Sequence, residues 1–425
     1  MKDVFLNYWL NRNDEYGLPP RILFGFNTID KAGEVSKQIC KNKEVLIVTD
    51  KFLLSTGFID QLSSSLEKNN LNFKIYASDV AEPTKEQVNS VIKEASEKDY
   101  GLVIGIGGGS SLDRAKIAAC FGGFEDRAED YFAPSTKILT HSKPKLLIPT
   151  TAGTGSEVSN TAVVIIPENY VGSAKTWITG KMILADAAIL DPSLMINLPQ
   201  RVTANTGIDA LSHCAEGVIS KQANPFSDGL AIEGIKLVAE NIKMVYHQGE
   251  NLEARWNMSM AAMLGGIVIS FPWIGGPATL GHAASEGISP KYNIPHGAAC
   301  GVLLPYVYWF NLKSSYAERK LSVISEAMGV DTCKMSDQKA AESAIWSTFD
   351  LLEDLDMSTN LKSYGMKEED IPVIAKYIFE RSERMYAMSG YNPRKATLEN
   401  MEEFFYAAYE GREYLEKDLS KKHWR

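Results

Sequence analysis

Cysteine is scarce in this chain, and what there is lies scattered. Cys40, Cys120, Cys214, Cys300 and Cys333 are odd in number, far apart and never in CxxC spacing, so neither a disulfide framework nor a thiolate metal knuckle is indicated. Positive charge is also in deficit. The 44 Lys and Arg against 53 Asp and Glu leave a net charge of −9, which argues against a basic nucleic-acid face or a binder of anionic membranes. No run of about 18 apolar residues occurs, as a membrane-spanning helix would need. The opening MKDVFLNYWLNRNDEYG carries Asp3, Arg12, Asp14 and Glu15 in place of a secretory signal's apolar core. Glycine and proline are near average usage, which excludes fibrous and broadly disordered classes. These absences predict a globular cytoplasmic protein with small-molecule ligands and neither nucleic acid nor membrane as partner. At 425 residues the chain allows two or three domains with an ample core.

Between residues 20 and 195, short β-branched runs alternate with longer amphipathic stretches. RILFGF precedes a helical span from Ile29 to Lys41, VLIVTD precedes a helix through LSSSLEK, and FKIYA precedes one around VNSVIKEASEK, before GLVIGIG. That rhythm predicts βαβ units, a parallel sheet and an open α/β domain. After Leu198-Pro199 the apolar period changes to 3.6, as in SDGLAIEGIKLVAENIKMVY and MEEFFYAAYEGREYLEKDL, so the second half is expected to be all-helical. We draw the boundary at residue 200: an α/β cofactor domain over 1–200, a helical metal and substrate domain over 201–425, and a ligand cleft between them. Residues 1–17 and 414–425 read as appendages, with Phe5, Tyr8 and Trp9 available to pack on the body or on a second subunit.

A strand over Gly101 to Gly105 runs into GIGGGSSLDRAKIAACF, where Gly107, Gly108 and Gly109 precede a helix opening with Ser110 and Ser111. Glycines let backbone approach a phosphate, and the helix N-terminus attracts its charge. Ser110 and Asp113 also have capping-box spacing, and the last glycine of GxGxxG is missing, so a structural turn explains the run equally. A second loop, IPTTAGTGSEVS, follows the strand-like KLLIP over 145–149 and offers Thr150, Thr151 and Thr154 to a pyrophosphate or a nicotinamide amide, or serves as a hydroxyl-rich turn. Asp50 ends VLIVTD, where a carboxylate accepts from a ribose 2′-hydroxyl and repels a 2′-phosphate. That favours NAD over NADP, although a strand-end Asp also simply starts loops.

Of six histidines, three fall in a short arc of the helical half: His213, His282 and His296. Asp209 and His213 are four apart in GIDALSHCAEG, hence on one helix face. His282 and His296 are separated by Gly287, Pro290 and Pro295, which predicts two elements. Each residue alone reads as a capping or core group; the set of four makes a borderline donor set suited to Fe(II), Zn(II) or another divalent ion.

GGGSSLDRAK, IPTTAGTGSE, DAAILDPSL, GIDALSHCAEGVISKQANPFSDGLAIEGIKLV, IPHG and NPRKATLENMEEFFYAAYEG together resemble the iron-containing (group III) alcohol dehydrogenase family, over about residues 19–411. The resemblance implies an N-terminal dinucleotide domain, a helical metal domain and the NAD-dependent interconversion of an alcohol with an aldehyde or ketone, by a homodimer. It implies Asp209, His213, His282 and His296 as metal ligands, in D-x3-H and H-x13-H spacing. It places Gly107 to Ser110 and Asp113 at the diphosphate, Thr150, Thr151 and Thr154 along the phosphate and nicotinamide, and Asp50 at the adenosine ribose. Lys175 matches the family's cofactor-side lysine, counted back from Asp191-Pro192, with Ala185 in place of a usual proline.

Two departures bear on function. Many relatives have a further histidine where this chain has Glu286, one turn from His282. Glu286 is therefore a candidate catalytic group that orients water, contacts a substrate hydroxyl or amine, or relays protons; drift at a non-ligand position is the plainer account. The stretch ISFPWIGGPATL is longer than usual, which makes Trp273 a candidate to reshape the substrate entrance. Two related chemistries compete with the dehydrogenase reading: a hydroxyacid–oxoacid transhydrogenase and a dehydroquinate-synthase-like lyase, both with tightly held NAD.

Overall fold

The computed structural model describes residues 16–79, 82–168, 172–271, 279–385 and 391–421. Trp273, Phe5, Tyr8 and Trp9 lie outside the described residues. The apolar runs form strands β1 (Ile22–Phe24), β2 (Glu44–Asp50), β3 (Asn72–Ser78), β4 (Leu102–Gly107), β5 (Lys145–Pro149), β6 (Thr161–Glu168), β7 (Gly172–Thr179) and β8 (Ala187–Leu190). Six of them make one parallel sheet in the order β1-β8-β5-β4-β2-β3. β4 and β5 are buried along their whole length, as expected of central strands covered on both faces, whereas the edge strand β3 is largely half-buried or exposed. Helices α1 (Ala32–Ile39), α2 (Phe58–Lys68), α3 (Lys85–Ser96) and α4 (Gly109–Phe121) connect the first strands. The chain passes from β2 outward to β3 and then to β4 on the other side of β2. The C-terminal ends of β2 and β4 therefore flank a switch point, the place where open α/β sheets bind ligands.

One element departs from the expected βαβ rhythm. β6 and β7 pair antiparallel, from Thr161 opposite Thr179 to Glu168 opposite Gly172, and form a separate two-stranded sheet. A β-branched run such as TAVVII fits a parallel or an antiparallel partner alike, so the sequence pattern does not separate the two.

From residue 200 the described chain is helical: α5 (Gln200–Ile219), α6 (Pro225–His247), α7 (Leu252–Val268), α8 (Leu280–Tyr292), α9 (His296–Asn311), α10 (Ser315–Ala327), α11 (Asp337–Asp354), α12 (Ile371–Met385), α13 (Leu398–Glu410) and α14 (Arg412–Lys421). α6 begins where the sequence punctuates it. The Asn224 carboxamide accepts from the amides of Phe226 and Ser227, and the Ser227 hydroxyl accepts from the amide of Asn224. α5 and α9 are buried on almost every face, which is why their period is weak: they form the centre of the helical core.

Three expectations need correction. α8 runs through Gly287 and Pro290, and the break before α9 comes at Asn293, which takes a left-handed conformation. The stretch MEEFFYAAYEGREYLEKDL is two helices, divided at Gly411, whose φ of 96° ends the first. Nor are the residues from Tyr414 to Lys421 an appendage. Leu415 is fully buried, Tyr414 meets Trp309 edge-on, and the Trp309 indole donates to Asp418, so α14 is docked by a narrow stripe within a polar sequence. At the other terminus Tyr16 packs against Phe226 and Phe271. No helix of the described residues is long and apolar enough to cross a membrane.

Candidate active site

A cleft opens between the sheet's switch-point edge and the helical half. The side predicted to take the cofactor is made of backbone and hydroxyls. α4 starts at Gly109, with Gly108 in the cap position and no side-chain acceptor there, so the predicted Ser110–Asp113 capping box does not form. Asp113 instead accepts from the Ser156 hydroxyl (2.6 Å) and the Val163 amide (3.0 Å), pinning the threonine loop and the hairpin onto α4. A Cβ at Gly109 would lie 2.6 Å from the Thr154 methyl group, so this position admits no side chain and leaves the helix N-terminus open to an anion. Gly109, Ser110, Asp113 and Thr154 all line the cleft. Thr150, just past β5, is buried and donates its amide to Gly107, while Thr151 comes close to Gly108.

Asp50 sits at the end of β2 beside this turn. One carboxylate oxygen accepts from the Leu53 amide at 3.1 Å and the other from the Ser111 hydroxyl at 3.4 Å. Asp50 is not among the residues lining the cleft itself. Below the loops lies a buried charged cluster. Lys116 donates to the Ser159 hydroxyl (3.1 Å) and the Thr161 carbonyl (2.7 Å) and stands 3.6 Å from Asp113. Burial lowers the Lys116 pKa to about 8 and raises that of Glu157 to about 7.

The opposite wall gathers the four predicted ligands. Asp209 and His213 project from one face of α5, His282 from α8, and His296 from the first turn of α9. Asp209 Oδ1 is 3.9 Å from both His213 Nε2 and His296 Nε2. The His213 and His282 rings stack with centroids 4.7 Å apart, and the His282 and His296 rings meet edge-on at 5.5 Å. All four line the cleft. Asp209 Oδ1 and His282 Nε2 are buried and have no hydrogen-bond partner. Stranding two buried polar atoms costs roughly 1–3 kcal/mol each. A divalent cation shared by these donors would remove that cost, so the donor set fits a metal.

The electrostatics agree. Burial lowers the His213 pKa to about 4, against the pull of Asp209, and burial with the nearby Lys175 ammonium pushes His296 well down, so both rings are neutral donors near pH 7. His282 behaves differently. Burial opposes its charge, but Cys300 and Glu216 outweigh burial and hold its pKa well above the usual range.

Glu216 was not identified from the sequence. It lies on α5 one turn beyond His213, and its carboxylate accepts from the Thr279 amide (2.8 Å), the Thr279 hydroxyl (2.6 Å) and the His282 amide (3.0 Å), and contacts His282 Nδ1 at 2.6 Å. Burial favours the neutral acid, yet His282 and Thr279 outweigh it and keep Glu216 a carboxylate. Occupying Nδ1 in this way aims Nε2 at the ligand cluster. Asp209, His213 and Glu216 mark positions i, i+4 and i+7 of one helix stripe, a signal available in the sequence.

The substrate end carries charge. Glu286 lines the cleft one turn from His282 and pairs with Arg381 of α12 at 3.7 Å. Arg381 also donates to the Lys175 carbonyl on β7. The Lys175 ammonium lines the cleft 3.5 Å from Glu82. Arg381, buried and distant in sequence from every motif, gave no local signal.

Residues 19–192 match the family described as "Iron-containing alcohol dehydrogenase", and residues 203–409 match "Fe-containing alcohol dehydrogenase family, C-terminal". The chain is 32% identical over 360 residues to long-chain-alcohol dehydrogenase 1 of Geobacillus thermodenitrificans, covering 84% of this chain and 88% of that protein. The crystal structure of a 1,3-propanediol oxidoreductase superposes with a TM-score of 0.84 at 31% identity, covering 94% of this chain and all of the other. A sulfoacetaldehyde reductase from Bifidobacterium kashiwanohense, solved in complex with NAD+, gives a TM-score of 0.80 at 25% identity, covering 94% and 99% of the two chains.

Proposed function

The chain belongs to the iron-containing alcohol dehydrogenase family, and from that membership we propose that it interconverts a small-molecule alcohol and its aldehyde or ketone, with hydride exchanged between the substrate carbon and NAD. One observation carries the reading: unpartnered donor atoms of Asp209 and His282 meet the imidazoles of His213 and His296 on the cleft into which the glycine turn and the α4 N-terminus open. Residues 1–200 act as the cofactor half and residues 201–425 as the metal and substrate half. The cysteine pattern supports a cytoplasmic enzyme, and the family resemblance supports a homodimer.

Asp209, His213, His282 and His296 would hold the divalent ion, Fe(II) in the family's name and Zn(II) or another ion by the donor set alone. Such an ion, when bound, supplies Lewis-acid polarisation of the substrate oxygen. The backbone from Gly107 to Ser110, at the α4 N-terminus, binds the cofactor diphosphate, with Asp113 fixing the loop geometry. Asp50 accepts the adenosine ribose hydroxyls. Thr150, Thr151 and Thr154 orient the nicotinamide, and Lys175 stands on the same side. Apolar walls from Val163, Ile165 and Ile269 exclude water from the reacting atoms. Glu286, held by Arg381, accepts a hydrogen bond from a substrate hydroxyl, or from the water through which the substrate proton leaves.

The test is alcohol-dependent reduction of NAD by protein reconstituted separately with Fe(II) and with Zn(II), across a panel of primary alcohols and diols. NADH is expected to accumulate in proportion to the carbonyl product. Product formed without NADH accumulating would overturn the dehydrogenase reading.

A further inference from the structure

We propose that Cys300 is an additional donor of this metal centre, recruited by thiophilic ions in place of His213. The inference rests on the metal-centre reading above and extends it to a residue outside the four predicted ligands.

Cys300 lies one turn after His296 on α9, on the same helix face, and is 1% exposed. Its sulfur is 3.8 Å from each ring nitrogen of His296 and 3.4 Å from the Ser285 hydroxyl, which itself donates to the His282 carbonyl at 2.9 Å. The thiol therefore sits among groups that belong to two of the ligand-bearing helices. Donor atoms of Asp209, His282, His296 and Cys300 all lie within 4.8 Å of one another. Two ligands at roughly 2.3 Å from a shared ion stand up to about 4.6 Å apart, so small side-chain shifts close this set on one cation. His213 is outside that mutually close group, though it approaches Asp209 and stacks on His282. Asp209 Oδ1 and His282 Nε2, both buried and unpartnered, already point to a cation here independently of the cysteine.

Two overlapping sets follow. They share Asp209, His282 and His296; one is completed by the His213 imidazole and the other by the Cys300 sulfur. Imidazole serves Fe(II), Zn(II) and Ni(II), whereas thiolate selects softer ions. In the metal-free protein the thiol proton is directed to Ser285. When the sulfur–metal bond forms, that proton passes to water and no electrons are exchanged. A soft ion would be held by Asp209, His282, His296 and Cys300, while a harder ion would keep the three-histidine set with Asp209. Cys300 would thereby govern which metal the protein retains.

Cadmium(II), a thiophilic ion, tests this without reference to turnover. The full-length protein loaded with one equivalent of Cd(II) is expected to show a thiolate-to-cadmium charge-transfer band in the ultraviolet. The band should vanish in Cys300→Ser and in Cys300→Ala, two replacements of different polarity that guard against a folding artefact, while both still bind one equivalent. Competition with Cd(II) should show its preference over Fe(II) falling about tenfold or more in both variants, the scale of losing one supporting group at a metal site. One bound equivalent with no thiolate band, or a band that survives both replacements, overturns the role of Cys300 and leaves the histidine centre standing. Failure to bind cadmium at all, or binding that is indifferent to His282→Ala, brings down the metal-centre reading together with it.

Discussion

The two walls of the cleft are built from different chemistry. The cofactor wall presents backbone at a helix N-terminus, a glycine whose missing side chain makes room, and short hydroxyls, all on loops that leave adjacent parallel strands. The metal wall presents carboxylate, imidazole and thiol groups carried by three helices and drawn into one buried cluster. Recognition by backbone is set by local turn geometry and survives many side-chain changes. A cluster of side chains is only as good as the convergence of distant helices, and loss of one member strands the others in a dry site.

The sharpest way to break this contrast is His282→Ala. Metal content should fall to background and alcohol oxidation by at least about 10³-fold, the scale of several kcal/mol of lost polarisation. NADH binding, followed by its fluorescence, should stay within a small factor, since the cofactor wall is built separately. Equal loss of both would show that the two walls are one unit.

The buried charge beneath the cofactor loops gives a pH test. The folded-state pKa of Glu157 is raised to about 7 from the ordinary carboxylate value of 4.5. Its contribution to stability is complete below about pH 4.5 and is lost as pH rises toward 7, a cost on the order of 3 kcal/mol if the carboxyl is alone responsible. Lys116, lowered to about 8, works in the other direction: its burial penalty persists at neutral pH and is relieved only between about pH 8 and 10.5. Urea titrations of the metal-free protein at pH 5 and pH 7.5 should show a drop that Glu157→Gln largely removes. An identical drop in the variant would assign it to other groups.

Glu216→Gln keeps the shape of the group that orients His282 but removes its charge. Metal affinity, read by chelator competition, should fall about 10- to 100-fold, with NADH affinity unchanged. Last and smallest, Asp50→Gly should relax the preference for NAD over NADP by about tenfold in kcat/KM, because one repelled phosphate and one charge-assisted hydrogen bond are at stake. Unchanged discrimination would remove Asp50 from the cofactor site.

The cofactor wall was the more legible in sequence, since strand, glycine run and helix start follow one another in the chain. KLLIP is strand β5 residue for residue, and VLIVTD supplies all but the first residue of β2. The ligand histidines were legible as chemistry, because Asp209 and His213 share a helix face, but their meeting with His282 and His296 is a property of helix packing. Glu216 was legible in principle on the same stripe. Arg381 and Cys300 were not: one reaches the site from α12 across the helical core, and the other looks like an ordinary buried thiol until its neighbours are known. The β6–β7 hairpin was missed because β-branched runs do not declare the direction of their partner.

Arg381 grips the backbone of β7 at Lys175 with the same guanidinium that faces Glu286. The strand carrying Lys175, proposed to face the cofactor, and the helix carrying Glu286, proposed to face the substrate, are thus fastened to a single fork. Remodelling this pocket for a new alcohol by repacking α12 would therefore shift the grip on the dinucleotide as well, so selectivity for the two reactants should drift together in evolved or engineered descendants.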